Sequence, residues 1–450
     1  MAVIAVYAGC LGNGFLTYDD PSYVTANAAA HGFSAEHLRV AFTRIYTGNW
    51  APLHLVSYML DYTLWGLRPM GFILTNILLH ASNAILFYHL LVRTRSGRAV
   101  ALFSAFVFAL HPVQVESVAW ISERKTVLSM FFCLISLHAH IGFRENGGRR
   151  WYLISLLAFV CALLTKSVTI ILPAIIMLYD LIFPEKWEKK RLVGIVPYVS
   201  AAAACATIAL LTQAEGSGGI RDYHGGSVGA TILTMLPVFT AYLRMLFWPT
   251  NLSLVYMPEV KTSVDVQVAA AAIVLLTVVG GGLLLLRRER QLTFWLAVFF
   301  VCLLPVAQLV PLITIMNDRY LYFPLIGAAP FCVGLAAMAV RKWSSIRGLA
   351  ALAAGVAIVS LAILSRERTK VWRDDVTLWQ DTVKKMPDSM FALQNLARTY
   401  TREGMPELAR EAAGRVFALQ ERVPQPGKPE RYDMFWNLRE KRIQLKREPI

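Results

Sequence analysis

The chain has 450 residues, 56% of them hydrophobic and 16% charged, with a mean hydropathy of +0.50. That composition excludes a soluble globular enzyme and describes an all-α, polytopic membrane protein. The net charge of +15 would suggest nucleic acid in a soluble protein. Here the basic residues gather in short loops between apolar runs, so no nucleic-acid partner is expected and the charge reports orientation.

Apolar runs fall near 1–16, 70–92, 99–115, 126–143, 151–165, 167–183, 192–213, 265–286, 291–312, 320–340 and 347–364. At roughly 20 residues per crossing they predict about 11 transmembrane helices. The first run lacks a basic flank and a small-residue cleavage site, so it reads as a retained span. Basic clusters sit at 93–98, 144–150, 186–191, 287–290 and 341–347 and hold 16 lysines and arginines. Placing all five in the cytoplasm puts the N-terminus inside and the C-terminal domain outside. The run 229–248 is long enough to span, but a crossing there would force "RRER" (287–290) outward. It also carries Pro237 and Arg244 and is expected to be a re-entrant or interfacial helix within the outer loop 214–264. The six cysteines all lie in apolar runs, with no zinc or redox spacing, and read as core residues.

The first outer loop, 17–69, opens on "YDDPSYV", with Asp19 and Asp20 directly after the first span. Solvated acids opening a turn before Pro21 are the plain reading. Acids held at a membrane surface and walled by helices are the functional one. Two helices are expected in this loop. One begins at Ser34 as N-cap, with Leu38, Phe42 and Ile45 on one face. The other begins at Pro52 and carries His54.

"HPVQVESVAWISERK" (111–125) follows a span. A helix through it would set Glu116 and Glu123 on one face, beside Trp120. His111 fits a hydrogen-bonded helix terminus, and Arg124 and Lys125 fit snorkelling cations. Lys166 lies between two apolar runs, and Arg319 lies in the short loop "MNDRY" with Asp318 and Tyr320. Each cation either binds an anion at headgroup level or pairs with a nearby acid, Arg319 with Asp318 for instance. No metal-ligand set, glycine-rich phosphate loop or nucleophile elbow is evident, and a divalent cation is left open.

Past residue 365 the chain turns charged. Within 366–424, Leu396, Ala397, Tyr400, Gly404 and Ala409 follow tetratricopeptide spacing. One such repeat cannot bury its own face, so it is expected to pack on the membrane domain, 1–365, or on a partner. A basic tail, 425–450, follows.

The motifs "YDDPSYVTAN", "GNWAPLHLVSYMLDYTLWG", "ALHPVQVESVAWISERKTVLSMFF", "LLTKSVTIILPAIIMLYD" and "NDRYLYFP", in this order before a tetratricopeptide-like segment, resemble the bacterial relatives of the animal transmembrane and tetratricopeptide-repeat O-mannosyltransferases. These belong to the GT-C class of membrane glycosyltransferases. The resemblance implies a GT-C-like fold in a bacterial inner membrane and a polyprenyl-phosphate-linked sugar as donor. It also implies inverting transfer on the periplasmic side to a protein serine or threonine or to an envelope glycan. Asp19 and Asp20 match the family's acidic pair, one of which would be the general base. Lys166, Arg319, Arg124 and Tyr320 would bind the donor phosphate, and His54, His111, Glu116 and Glu123 would shape the pocket. Membrane lipid is the third expected partner. Family members often carry many repeats, and this chain has about one. Rival readings are a lipid-linked-sugar transporter and a non-catalytic protein of envelope-glycan assembly.

Overall fold

The computed structural model describes residues 1–183, 190–216 and 222–422. The tail expected at 425–450 and most of the basic cluster 186–191 lie outside the described residues. Among those described, every regular element is helical. Helix α1 (Ala2–Tyr7) continues as a 3-10 turn to Gly12. Helices α2 (Ala35–Thr43) and α3 (Pro52–Trp65) lie in the loop 17–69, α2 ending before Ile45, which was expected on its apolar face. Ser34 caps α2 by accepting from His37 N at 3.0 Å, which satisfies one orphan N–H of the first turn. Next come α4 (Pro69–Arg93), α5 (Arg98–Leu110), α6 (Val115–Ala119), α7 (Arg124–Asn146), α8 (Arg149–Leu163), α9 (Leu172–Ile182) and α10 (Lys190–Gly216). The second half holds α11 (Val228–Phe247), α12 (Val266–Leu285), α13 (Arg290–Leu303), α14 (Leu325–Lys342) and α15 (Arg347–Val371). Three helices close the described chain: α16 (Asp375–Lys385), α17 (Met390–Arg402) and α18 (Pro406–Arg422).

Seven helices among the described residues are long and apolar enough to cross a membrane, or eight if α5 and the segment Pro112–Ala119, bent by 51°, count as one. Three shorter apolar helices, Ala2–Gly12, Ser167–Ile182 and Arg290–Val306, accompany them. The helices pack closely. A Cβ on Gly327 of α14 would lie 2.4 Å from Phe299 N and 2.6 Å from Trp295 O of α13, so only glycine allows that approach.

Helix ends sort into two faces. On one face the basic clusters meet: Arg93 pairs with Glu145 at 2.6 Å, Arg341 with Glu289 at 3.1 Å, and Gln291 donates to Thr94 O at 2.7 Å. The opposite face gathers residues 13–20, 111–126, 164–169 and 304–324 together with α16 and α17, through the contacts described below.

Helix α11 forms one unbroken 20-residue helix, not a hairpin, and by length it passes for a span. Its two ends nevertheless anchor to the same face. Near its start, Tyr223 donates to Leu309 O at 3.3 Å, just beyond the C-terminal end of α13. Near its end, Leu246 O accepts from His111 Nε2 at 3.1 Å, and Asn317 N donates to the Tyr242 hydroxyl at 3.3 Å. Both ends of the helix are thus bonded to segments that gather on the face holding residues 111–126 and 304–324.

The expected boundary at 365 falls inside α15, which runs on to Val371. Arg366, Glu367, Arg368 and Lys370 are good helix formers that carry the rod beyond its apolar stretch. The buried residues of α17 (Met390, Ala392, Leu393, Leu396, Thr399, Tyr400) form the stripe expected of an amphipathic helix. Gly404 takes φ +71° at the turn into α18, a left-handed position that suits glycine.

Candidate active site

The two aspartates of "YDDP" have different fates. Asp20 is fully buried. Its Oδ2 accepts from Leu16 N at 2.8 Å, and its Oδ1 accepts from Ser122 N at 3.1 Å and from the Ser122 hydroxyl. Burial pushes its carboxyl up to about 7, against the pull of those three donors. Asp20 therefore ties the first loop to the 121–123 turn and has little left to offer a ligand. Asp19 is half-buried, and among the described residues no hydrogen bond or ion pair engages its carboxylate. Burial raises its pKa, while Lys125 and Arg319 pull it back down.

Facing Asp19 is a charged cluster. Glu123 pairs with Lys166 at 3.1 Å, with Lys125 at 3.4 Å and with Arg319 Nε at 3.5 Å, and it accepts from the Thr126 hydroxyl at 2.6 Å. Glu116 holds Arg319 twice, by an ion pair at 2.5 Å and through Arg319 N at 2.9 Å. The glutamate side chains are 0% and 2% exposed, whereas Lys166, Arg319 and Lys125 are 20%, 14% and 11% exposed. The buried acids thus gather three cations that each keep a small share of exposed surface. Lys125, Lys166 and Arg319 lie beside Asp19, whose carboxylate has no hydrogen bond or ion pair among the described residues. Burial lowers Lys166 to about 8, opposed by Glu123.

Other expected residues take structural roles. The helix foreseen through 111–125 is broken: α6 ends at Ala119, Trp120 is extended at φ −92°, ψ 121°, and a 3-10 turn covers 121–123. Glu116 and Glu123 are united by Arg319 instead of by a shared helix face. Arg319 does not pair with Asp318. That aspartate accepts from the Tyr256 hydroxyl and faces Arg368 at 3.5 Å.

Arg124, expected at the donor phosphate, is fully buried and already saturated. It pairs with Asp61 at 2.5 Å, donates to Asn76 Oδ1 at 2.8 Å and to Phe72 O at 2.6 Å, and lies 4.6 Å from the centre of the Tyr58 ring. It pins α7 to α3 and α4, and its neighbour Lys125 reaches the site in its place. His111 caps the turn at 112–114, its Nδ1 accepting from Val113 N at 3.3 Å, which is the helix-terminus role. His54 is buried, and burial lowers its pKa well below the ordinary value. It touches the Tyr58 hydroxyl at 2.8 Å, which in turn donates to Ile121 O at 2.6 Å. The Tyr320 hydroxyl is taken by Thr314, and its ring lies 5.6 Å from the Arg319 guanidinium. These four residues support the site's walls from behind.

Sequence reasoning missed Ser122, Lys125 and Thr126 as site groups. Lys125 is visible only as half of an Arg-Lys pair. The C-terminal helices also reach this site, which no motif announces. Tyr18 stacks on Trp120 with ring centres 5.5 Å apart and meets Trp379 of α16 and Phe391 of α17 edge-on, at 5.8 Å each. Beside the site lies a cavity of about 710 Å³ between α11, residues 251–261 and the end of α16, lined by Arg244, Met245, Tyr256, Met316 and Lys384 among others. Among the described residues no cluster of three or more His, Cys, Asp or Glu has a metal-holding arrangement.

Residues 52–212 match the model of the dolichyl-phosphate-mannose-protein mannosyltransferase family. The chain is 29% identical over 190 residues to protein O-mannosyl-transferase Tmtc1 of Drosophila melanogaster, covering 40% of this chain and 22% of that protein. It is 28% identical over 273 residues to Tmtc2 of the same organism, covering 55% of this chain and 29% of that protein. With human TMTC1 it shares 29% identity over 147 residues, 30% of this chain and 16% of that protein. The chain thus spans less than a third of the length of these curated relatives. Among solved structures, ArnT from Cupriavidus metallidurans bound to undecaprenyl phosphate aligns with 93% of this chain and 74% of its own, at 16% identity and a TM-score of 0.45. The acidic pair and Arg319 lie outside the segment matched by the family model.

Proposed function

We propose, from its kinship with membrane O-mannosyl-transferases, that this chain is a glycosyltransferase. It moves a sugar from a polyprenyl-phosphate carrier to an acceptor hydroxyl of a protein serine or threonine. The acceptor oxygen attacks C1 of the sugar, Asp19 takes the hydroxyl proton, and the C1–O bond to phosphate breaks on the opposite face. One displacement of this kind inverts the configuration at C1. The departing polyprenyl phosphate is stabilised by Lys166, Lys125 and Arg319, which Glu116 and Glu123 already hold together beside Asp19. The cavity beside α11, with its mixture of apolar and basic lining, is suited to the carrier's lipid end. The basic face would lie in the cytoplasm and the site face in the periplasm of a bacterial inner membrane.

One observation carries this reading: among the described residues Asp19 is the carboxylate at the cluster with no hydrogen-bond or ion-pair partner, while its neighbour Asp20 accepts from Leu16 and Ser122. A base needs a lone pair free for a proton. Asp19→Asn should cut turnover roughly 10²–10⁴-fold while binding of the polyprenyl-phosphate sugar persists. Asp20→Asn should instead impair folding or loop order, visible as a lowered unfolding temperature. Near-normal turnover in folded Asp19→Asn protein would remove Asp19 from the mechanism.

A further inference from the structure

The turn bearing Asp19 is held from a place more than 350 residues away in the chain. Thr17 N donates to both carboxylate oxygens of Asp375, at 3.0 and 3.2 Å, and the Thr17 hydroxyl donates to Asp375 Oδ2 at 2.9 Å. Asp375 stands at the start of α16. Arg402, at the end of α17, completes the arrangement with Nη2 2.7 Å from Asp375 Oδ2 and Nη1 2.9 Å from the Thr17 hydroxyl. Just upstream, Asn13 Nδ2 donates to Trp372 O and Gly14 N donates to Arg373 O, both at 3.0 Å. Tyr18 is packed between Trp120 and the C-terminal rings Trp379 and Phe391.

We propose that Asp375 and Arg402 are positioning residues of the transferase, and that the C-terminal helical pair is a wall of the active site rather than an appended dock. This rests on the proposed role of Asp19. Two clamps meet on the turn: Asp20 fixes Leu16 and Ser122 from the membrane side, and Asp375 with Arg402 fixes Thr17 from the C-terminal side. Only Asp19 and the Tyr18 ring lie between them. Asp375 is 7% exposed and Arg402 43% exposed, so the guanidinium is the part of the second clamp that opens to solvent. Charge-assisted hydrogen bonds of this geometry fix register as well as adding energy. A base displaced by about 1 Å can lose roughly 100-fold in rate.

The test uses the full chain in detergent or nanodiscs and reads both turnover and amide exchange. Arg402→Ala should lower kcat roughly 10- to 100-fold with the KM for donor nearly unchanged. It should also speed exchange at amides 14–17 while α17 keeps its protection. Arg402→Lys, which retains the ion pair with Asp375, should restore part of both. Unchanged exchange at 14–17 in Arg402→Ala would show that the clamp does not hold the turn. Faster exchange with an unchanged kcat would show that it holds the turn to no catalytic end. Should Arg402→Ala unravel α17, Thr17→Val decides: it spares both charges, and an unaltered kcat there overturns the proposal. A wild-type chain without transferase activity would sink the functional reading, while the exchange measurement would still judge the clamp.

Discussion

In the proposed mechanism Asp19 and Lys166 set the pH response of the site. Burial raises Asp19 above the usual carboxylate range, and a base acts only when deprotonated, so activity should climb with pH along a limb displaced upward from that of a free carboxylate. Lys166, lowered to about 8, loses its charge as pH passes that value, so donor use should fall on the alkaline side. Asp20, at about 7, faces Ser122 and Leu16 rather than the ligand. Its titration should appear in loop order more than in proton transfer. Replacing Lys166 with arginine, whose guanidinium stays protonated, should push the alkaline limb of kcat/KM upward. A falling limb that stays in place would assign it to another group. Arg124 marks the contrast. It is saturated by Asp61, Asn76 and Phe72, so Arg124→Leu leaves Asp61 buried without its cation. That loss should cost about 3–5 kcal/mol of stability, read as a clear drop in unfolding temperature; an unshifted transition would contradict the anchor role. The adjacent residues 124 and 125 were equivalent as letters in the sequence. Only the 3-10 turn at 121–123 sends one inward and the other to the site, and that turn depends on contacts from distant segments.

At the scale of elements, the apolar periods and caps were legible because they are local. Ser34 as N-cap, Pro52 as first helical residue and the stripe of α17 each follow from a few neighbouring letters. The break after α6 was not legible, because nothing within "VESVAWISER" opposes a helix; Trp120 leaves helical geometry as it stacks between Tyr18 and Trp372. Helix α11 is where length and topology disagree. A largely apolar helix of 20 residues favours a crossing, while the bonds of Tyr223 to Leu309 and of Tyr242 to Asn317 bring both ends to one face. Single cysteines at Asp222 and Thr250, flanking α11, should therefore both react with an impermeant thiol reagent applied from the side of the site. Gly148→Cys, on the basic face, should stay protected. Labelling of only one of the two flanking positions would mean that α11 crosses.

For the whole molecule, the division into basic and acid-lined faces was readable from loop composition alone, since it needs only the order of apolar runs and charges. The identity of the site's neighbours was not. The contacts that finish it join residue 13 to 372, residue 17 to 375 and 402, and residue 116 to 319, and a linear reading cannot rank such pairs. The C-terminal helices pack on the membrane domain, one of the two ways expected for a lone helical repeat to cover its apolar face, and they do so beside Thr17 and Tyr18.

The bond between Thr17 and Arg402 also carries a schedule. During synthesis at roughly 5–20 residues per second, the acidic turn emerges tens of seconds before the arginine that latches it. Through that interval the turn bearing Asp19 lacks its hold from Asp375 and Arg402. On the mechanism proposed above, the site is complete only once α16 and α17 have folded back onto the first turn, so a nascent chain would not act before that contact forms.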